Sequence, residues 1–300
     1  RPRDRRVQRP HRPVHRNAGR DSPRWTLART GTIKEMNTKL EDYYPLTHGN
    51  HLKWPHSQLL VDRRHRLLFC PIGKNACSSL KRLIVTLSDI EHKELINQDV
   101  HVHIDRFTTG AKLLDYSGDE ARQMMQSPDY FKFAVVRDPF ERLVSAYIEK
   151  FVINRLMEPQ HVHTGPVVGA IQGTGSPDYE IGISFAEFVR YVTTQNPEQL
   201  DNHWRLQSSY LRGVCYDRIY RLDELDELRS DLVERTGVPI EIGNWNRSSS
   251  TDSRFVPGAS SMLPGELEKP AQIHRRSFME NELIFRIVTY FKEDYLIYYS

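Results

Sequence analysis

Residues 67–87 constrain this chain more than any other stretch. Leu67-Leu68-Phe69-Cys70-Pro71-Ile72 is a short apolar run, the pattern of a buried strand. Gly73 to Ser78 are small or polar and read as a tight turn. From Ser79 to Leu87 the apolar residues Leu80, Leu83, Ile84 and Leu87 fall at helical spacing. A strand, a small-residue loop and a helix in succession aim free backbone N–H groups at an anion. Lys74 adds a movable positive charge, and Ser78 and Ser79 add hydroxyls. The segment reads as a phosphate or sulfate cradle at the end of a buried strand.

The rest of the chain supplies more of the same alternation. Asp119 to Gln126 carries helical signals. Tyr130 to Val136 is a second buried strand that runs straight into Arg137-Asp138-Pro139, where Pro139 marks a helix start. Leu143, Val144, Tyr147 and Phe151 mark the buried face of that helix. A helix over Phe185–Thr194, a strand over Arg218–Leu222, a helix over Glu224–Thr236 and a last amphipathic helix from about Glu280 to Lys292 complete the pattern. His101-Val102-His103-Ile104 reads as a short strand or a loop edge, and residues 159–183, rich in Gly, Pro and His, as a long loop. Strands alternating with helices predict an α/β fold with a central parallel sheet flanked by helices.

Composition bounds the function. Apolar content of 38% and charged content of 27% are those of a soluble enzyme. No run of about 18 apolar residues, the length that a membrane-spanning helix needs, occurs in the chain. The net charge of +3 hides an asymmetry. Residues 1–30 hold 10 Arg and 2 Asp, or +8, which leaves 32 basic and 37 acidic residues, or −5, for the remainder. Residues 1–30 are expected to be a disordered basic tail or stem, and 31–300 a single domain. No nucleic-acid motif follows the tail, and the mildly acidic body puts any polyanion site in a local patch. Three cysteines, Cys70, Cys77 and Cys215, form neither a disulfide framework nor a CxxC zinc pattern, and the odd count leaves at least one thiol unpaired within the chain.

The cradle fails as a Walker A loop, G-x-x-x-x-G-K-S/T. Gly73-Lys74 is present, but Leu68 stands where the first Gly belongs and Asn75 where the Mg²⁺-binding hydroxyl belongs. Such a loop suits a ligand that needs no Mg²⁺. Pro71 to Arg82 resembles the 5′-phosphosulfate loop of Golgi carbohydrate sulfotransferases, in particular the chondroitin/dermatan 4-O type, whose loop reads P-K-V-A-C-S/T-N-W-K-R. Phe133 to Tyr147 is similar, almost letter for letter, to that family's 3′-phosphate motif. His203-Trp204, Tyr216-Asp217 and Leu222-Asp223-Glu224-Leu225 resemble its H-W, Y-D and E-x-L block. The resemblance covers about residues 65–295. Gly73 replaces the family's Pro before the Lys, Ser79-Leu80 replaces Asn-Trp, and Cys215 stands alone where the family has C-x-x-C.

The resemblance implies a P-loop-NTPase-like sulfotransferase fold and a donor, 3′-phosphoadenosine 5′-phosphosulfate (PAPS). It implies a glycan acceptor, and no metal is expected. Lys74 would neutralise charge on the leaving phosphate, with Asn75, Ala76, Cys77, Ser78 and Ser79 holding the 5′-phosphate. Arg137 and Ser145 would bind the 3′-phosphate, with help from Arg142. Asn246 and Ser248 would cover the adenosine, although Asn246-Arg247-Ser248 is also a glycosylation sequon. The bland readings are helix capping for the serines, an Arg137–Glu141 ion pair and an exposed helix position for Arg142. Transfer needs a base, and His101, His103 and His203 compete for the role. His101 heads a segment that resembles one in which the family's base stands, whereas His203 beside Trp204 also reads as a buried orienting residue. His101-x-His103 and His161-x-His163 would suggest a metal site, but no carboxylate or Cys at ligand spacing completes either. The family implies the Golgi lumen, with an N-terminal anchor not present in this chain; a bacterial cytoplasmic relative is the alternative. The rival functions are a P-loop nucleotide kinase, which requires Mg²⁺, and a catalytically silent glycan-binding protein on the same fold.

Overall fold

In a computed structural model, residue 40 and residues 43–46, 51–240 and 253–300 are described. The expected basic tail and the Asn246–Ser248 stretch lie outside them. The architecture is mixed α/β, built on a four-stranded sheet in the order β1 (Leu60–Asp62), β2 (Leu67–Cys70), β3 (Phe131–Val136) and β4 (Arg218–Arg221). β2 runs parallel to β3, with Phe69 opposite Phe133, and β3 parallel to β4, with Val135 opposite Tyr220. The sequence pattern predicts a parallel sheet, but the sheet is not wholly parallel: β1 pairs antiparallel with β2. Only residues 63–66 join those two strands, which is too short for a crossover and forces the chain to double back.

Both faces of the sheet are buried, which is why the strands read as continuous apolar runs. Side chains alternate between faces. Leu67, Phe69, Phe131, Phe133, Val135 and Tyr220 join one core with Leu80, Ile84, Ile104, Leu228 and Leu232. Those residues come from α1 (Cys77–Leu87), α3 (Val100–Arg106) and, later, a helix over Leu225–Thr236; α2 (Lys93–Gln98) adds Ile96. Leu68, Cys70, Ala134 and Val136 face the other way, against Met124 of α4 (Gly118–Gln126), Leu113 and Tyr210. A third core gathers Phe140, Tyr147, Phe151, Phe188, Trp204 and Phe278. It is built on α5 (Pro139–Tyr147), whose N-cap Asp138 accepts from the Glu141 N–H at 3.0 Å, and on a π-helical turn over Ile148–Ile153 that continues it.

Two segments differ from the sequence expectation. His101–Ile104 is neither strand nor loop edge but part of α3. The alternating Val-His-Val-His mimics a strand, yet the buried residues Val100, His103, Ile104 and Phe107 recur at the helical period, and Asp99 caps the helix by accepting from Val102 N–H. Residues 159–183 are not one loop, because α6 runs over His161–Gln172. Gly165, Pro166 and Gly169 argue locally against a helix, and tertiary burial of Thr164, Val167 and Val168 overrides them. The remaining helices named below are α7 (Phe185–Val192), α8 (Gln207–Tyr210), α9 (Leu225–Thr236), α10 (Asn281–Tyr290) and α11 (Lys292–Tyr299).

Candidate active site

The site lies at the carboxyl ends of β2 and β3, where open α/β sheets bind their ligands. The loop after β2 is wound tightly. Lys74 and Ala76 both take left-handed backbone conformations, at φ 72° and 56°. α1 then starts at Cys77, two residues before the apolar pattern begins, and its N-cap Ala76 supplies no side-chain acceptor. The first N–H groups of a helix have no intrahelical partner, so those of the α1 start are available to an anion. Ser78 and Ser79 are half-buried at that terminus.

Two buried side chains lock this loop to the end of β3. Asn75 donates through Nδ2 to Val135 O at 2.9 Å and to Gln207 Oε1 at 2.6 Å. Gln207 on α8 also accepts from Arg137 N–H at 3.0 Å and donates to Arg137 O at 2.8 Å. Asp294 in turn accepts from the Gln207 and Ser208 N–H groups. Gln207 carries no motif, and nothing in the sequence singles it out. Arg137 is 5% exposed and donates from Nη1 to Lys74 O at 3.1 Å. Its pairing with Glu141 exists but is long, 3.5 Å, and Glu141 is shared with Arg275. The buried Nε of Arg137 has no hydrogen-bond partner. Ser145 lies half-buried on the same α5.

Arg142 is neither exposed nor turned toward a ligand. It is 1% exposed, and it donates to Gly73 O at 2.9 Å, Arg205 O at 2.6 Å and Asn202 O at 3.4 Å. Its guanidinium therefore clasps the loop after β2 to the turn at 201–205. The approach is close: a Cβ on Gly73 would lie 3.4 Å from Asn202 O and 3.7 Å from His203 Cα.

Lys74 turns its ammonium onto Glu149 of the π-helical turn, and the neighbouring Lys150 lies 3.3 Å from the other Glu149 oxygen. Burial lowers the Lys74 pKa, and Glu149 opposes that shift. Glu149 stays a carboxylate: burial would raise its pKa, but the two lysines overcome this and lower it.

The three histidines stand in different settings. His103 is buried, with Nδ1 3.2 Å from Ile96 O, and it serves α3 as a structural residue. His101 sits 2.7 Å from Ser78 Oγ through Nε2 and 3.3 Å from Lys81 Nζ through Nδ1. An ammonium only donates, so Nδ1 accepts and Nε2 carries the proton. Burial, then Lys81, push the His101 pKa down to about 4, so the ring is neutral near pH 7 with both nitrogens engaged. His203 contacts Asp201 Oδ1 through Nδ1 at 2.7 Å, and the other oxygen of Asp201 lies 2.7 Å from His163 Nδ1. Sequence spacing hid this cluster, because a carboxylate does join the histidine of the 161–163 pair, but from 38 residues away. His161 itself points elsewhere, stacking on Tyr179 at 3.6 Å. Among the described residues, His163, Asp201 and His203 are the one group whose ligand atoms lie near enough to hold a metal ion.

None of the three cysteines is disulfide-bonded. Among the described residues, no helix is long and apolar enough to cross a membrane.

The model of the sulfotransferase family matches residues 57–300. Carbohydrate sulfotransferase 14 of Mus musculus is 32% identical over 204 residues, which cover 65% of this chain and 52% of that protein. Carbohydrate sulfotransferase 10 of Danio rerio is 30% identical over 262 residues, 79% of this chain and 70% of that protein. Carbohydrate sulfotransferase 11 of Mus musculus is 31% identical over 213 residues, 66% and 58% of the two chains. The chain spans about half the length of the carbohydrate sulfotransferase 14 proteins it matches. No solved structure matches it. With most of its length matched by the family model, and with relatives of this identity, the chain belongs to the sulfotransferase family, among the carbohydrate sulfotransferases.

Proposed function

We propose that this chain transfers the sulfuryl group of PAPS to a hydroxyl of a glycan, on a P-loop-like sulfotransferase fold. The observation that carries the reading is the pairing of two cationic, anion-ready positions. One is the Lys74 loop with the open start of α1; the other is Arg137, whose buried Nε has no partner. Asn75 and Gln207 fix their separation. A nucleotide phosphorylated at both its 5′ and 3′ positions satisfies both at once. The N–H groups of the α1 start, with Ser78 and Ser79, bind the 5′-phosphate. Arg137 binds the 3′-phosphate, assisted by Ser145, and Arg142 acts indirectly by holding the loop.

In the transfer, the acceptor oxygen forms a bond to sulfur in line with the bond that breaks to the 5′-phosphate oxygen. The acceptor proton passes to a histidine, and 3′,5′-ADP leaves. Lys74 neutralises charge developing on the departing phosphate oxygen. Its present partner Glu149 must yield it when donor binds. Most of the acceleration comes from positioning and charge stabilisation. The family resemblance supports a Golgi-lumenal setting.

The test is to incubate the protein with radiolabelled PAPS and a panel of glycosaminoglycans and glycoproteins, alongside calorimetry with 3′,5′-ADP. Label should reach at least one glycan, and 3′,5′-ADP should bind without added metal. Absence of both transfer and binding sinks the reading.

A further inference from the structure

We infer that Asp201 and His203 form the base system that takes the proton of the acceptor hydroxyl, with His163 held on the second oxygen of the same carboxylate and its ring edge-on to His203 at 4.6 Å. This deepens the function proposed above and rests on it. The carboxylate of Asp201 accepts from His203 N–H at 2.9 Å and His203 Nδ1 at 2.7 Å on one oxygen, and from His163 Nδ1 at 2.7 Å on the other. A carboxylate only accepts, so both imidazoles carry their proton on Nδ1. That fixes the tautomer and leaves each Nε2 with a lone pair. Among the described residues no hydrogen bond engages Nε2 of either ring, and the side chains are 24% and 32% exposed for His203 and His163. A base held by an orienting carboxylate, with a lone pair left unengaged, is the arrangement a nucleophilic hydroxyl needs.

Placement selects His203 over His101. Arg142 ties Gly73 O to Asn202 O and Arg205 O, so the turn that carries His203 is bolted to the residue preceding Lys74. Lys74 and Lys150 both pair with Glu149, and the Lys150 charge also acts to lower the His203 pKa. His101, in contrast, spends Nε2 on Ser78 and Nδ1 on Lys81, within the phosphate-binding turn. The groups facing His203 are Asp201, His163 and Lys150: burial lowers its pKa first, Asp201 raises it, and Lys150 and His163 lower it. It is therefore unprotonated near neutral pH.

The same three residues also have the composition of a metal site, but their spacing is that of hydrogen bonds. Two ligands at about 2.0–2.1 Å from a tetrahedral ion stand about 3.3 Å apart, against the 2.7 Å seen for each Nδ1–carboxylate pair.

The experiment compares the full chain with His203→Gln and Asp201→Asn. It measures label transfer from PAPS, 3′,5′-ADP affinity and the pH profile, each with and without EDTA. Loss of a positioned general base costs about 10²–10⁴-fold in rate. His203→Gln should lose at least about 100-fold in kcat while 3′,5′-ADP affinity stays within about threefold. Asp201→Asn should lower kcat and move the acid limb of the profile to lower pH, because the carboxylate that raises the His203 pKa is gone. Transfer by His203→Gln within about threefold of the unaltered protein overturns the inference, and so does an unmoved acid limb in Asp201→Asn. Abolition of wild-type transfer by EDTA overturns it in favour of a metal. If neither protein transfers label nor binds 3′,5′-ADP, the donor reading fails instead, and the two failures are distinct.

Discussion

Replacing Arg142 by Lys isolates the clasp between the Lys74 loop and the 201–205 turn. The guanidinium makes two short bonds, to Gly73 O and Arg205 O, and a longer one to Asn202 O, all from one buried fork. A lysine keeps the charge but offers a single nitrogen on a stem that cannot span the same carbonyls. At least one short bond is lost and its carbonyl is left buried without a donor. With charge-assisted bonds contributing about 1.5–3 kcal/mol each, Arg142→Lys should cost about 2–4 kcal/mol of stability. At about 2–4 °C per kcal/mol for a domain of this size, Tm should fall by about 5–15 °C. Burial already lowers the Arg142 pKa, and a lysine, which deprotonates more readily, suffers more from the same setting. The loop and the turn then move independently, so sulfuryl transfer should fall more than 3′,5′-ADP affinity. Differential scanning calorimetry and a PAPS transfer assay on the purified variant read both effects. A Tm within about 1 °C of the unaltered protein, with transfer unchanged, would refute the clasp.

The other predictions concern neighbours of the same site. Gln207→Leu strips partners from Asn75 and from the Arg137 N–H and C=O together, so it should lower stability by about 2–4 kcal/mol and weaken 3′,5′-ADP binding, as read by denaturant melts and calorimetry. Glu149→Gln removes the carboxylate that competes for Lys74; a partly exposed pair is worth up to about 1 kcal/mol, so 3′,5′-ADP should bind up to about fivefold more tightly, and weaker binding would count against the role given to Lys74. Burial acts to raise the Asp201 pKa, but the His203 ring and N–H bonds outweigh it and hold the carboxylate well below its usual range. A depressed carboxylate contributes stability above its unfolded pKa and loses it as pH falls toward the folded value. The stability gap between the unaltered protein and Asp201→Asn, followed by denaturant melts across pH, should therefore be largest above about pH 4 and shrink on acidification.

The strand–loop–helix at 67–87 and the strand–helix at 131–147 were legible in the sequence because local pattern and tertiary burial coincide there. Apolar runs at 67–70 and 131–136 mark strands buried on both faces, and the polar residues that follow them can only be their ends. Other features are set by distant partners. α3 imitates a strand because its exposed Val102 restores the alternation that burial of Val100, His103 and Ile104 breaks. α6 contains Pro166 and two glycines and exists because its apolar side is packed, which no local rule reports. Arg142 reads as a helix surface residue until the 201–205 turn arrives over it. Asp201 and His163 are 38 residues apart and meet only in the fold. His203 is marked by its place in the His203-Trp204 block, but its i, i+2 spacing from Asp201 is too common to reveal the pairing. Gln207 left no signal at all.

The most direct test of the account is a calorimetric comparison of 3′,5′-ADP with 5′-AMP in the presence of EDTA. The loop at Lys74 can hold the 5′-phosphate of either, and Arg137, assisted by Ser145, distinguishes them. A charge-assisted contact from a buried guanidinium, contributing about 1.5–3 kcal/mol, predicts a preference of about 10- to 150-fold for 3′,5′-ADP, without metal and lost in Arg137→Ala. Equal affinity for the two nucleotides, or binding that needs Mg²⁺, would contradict it.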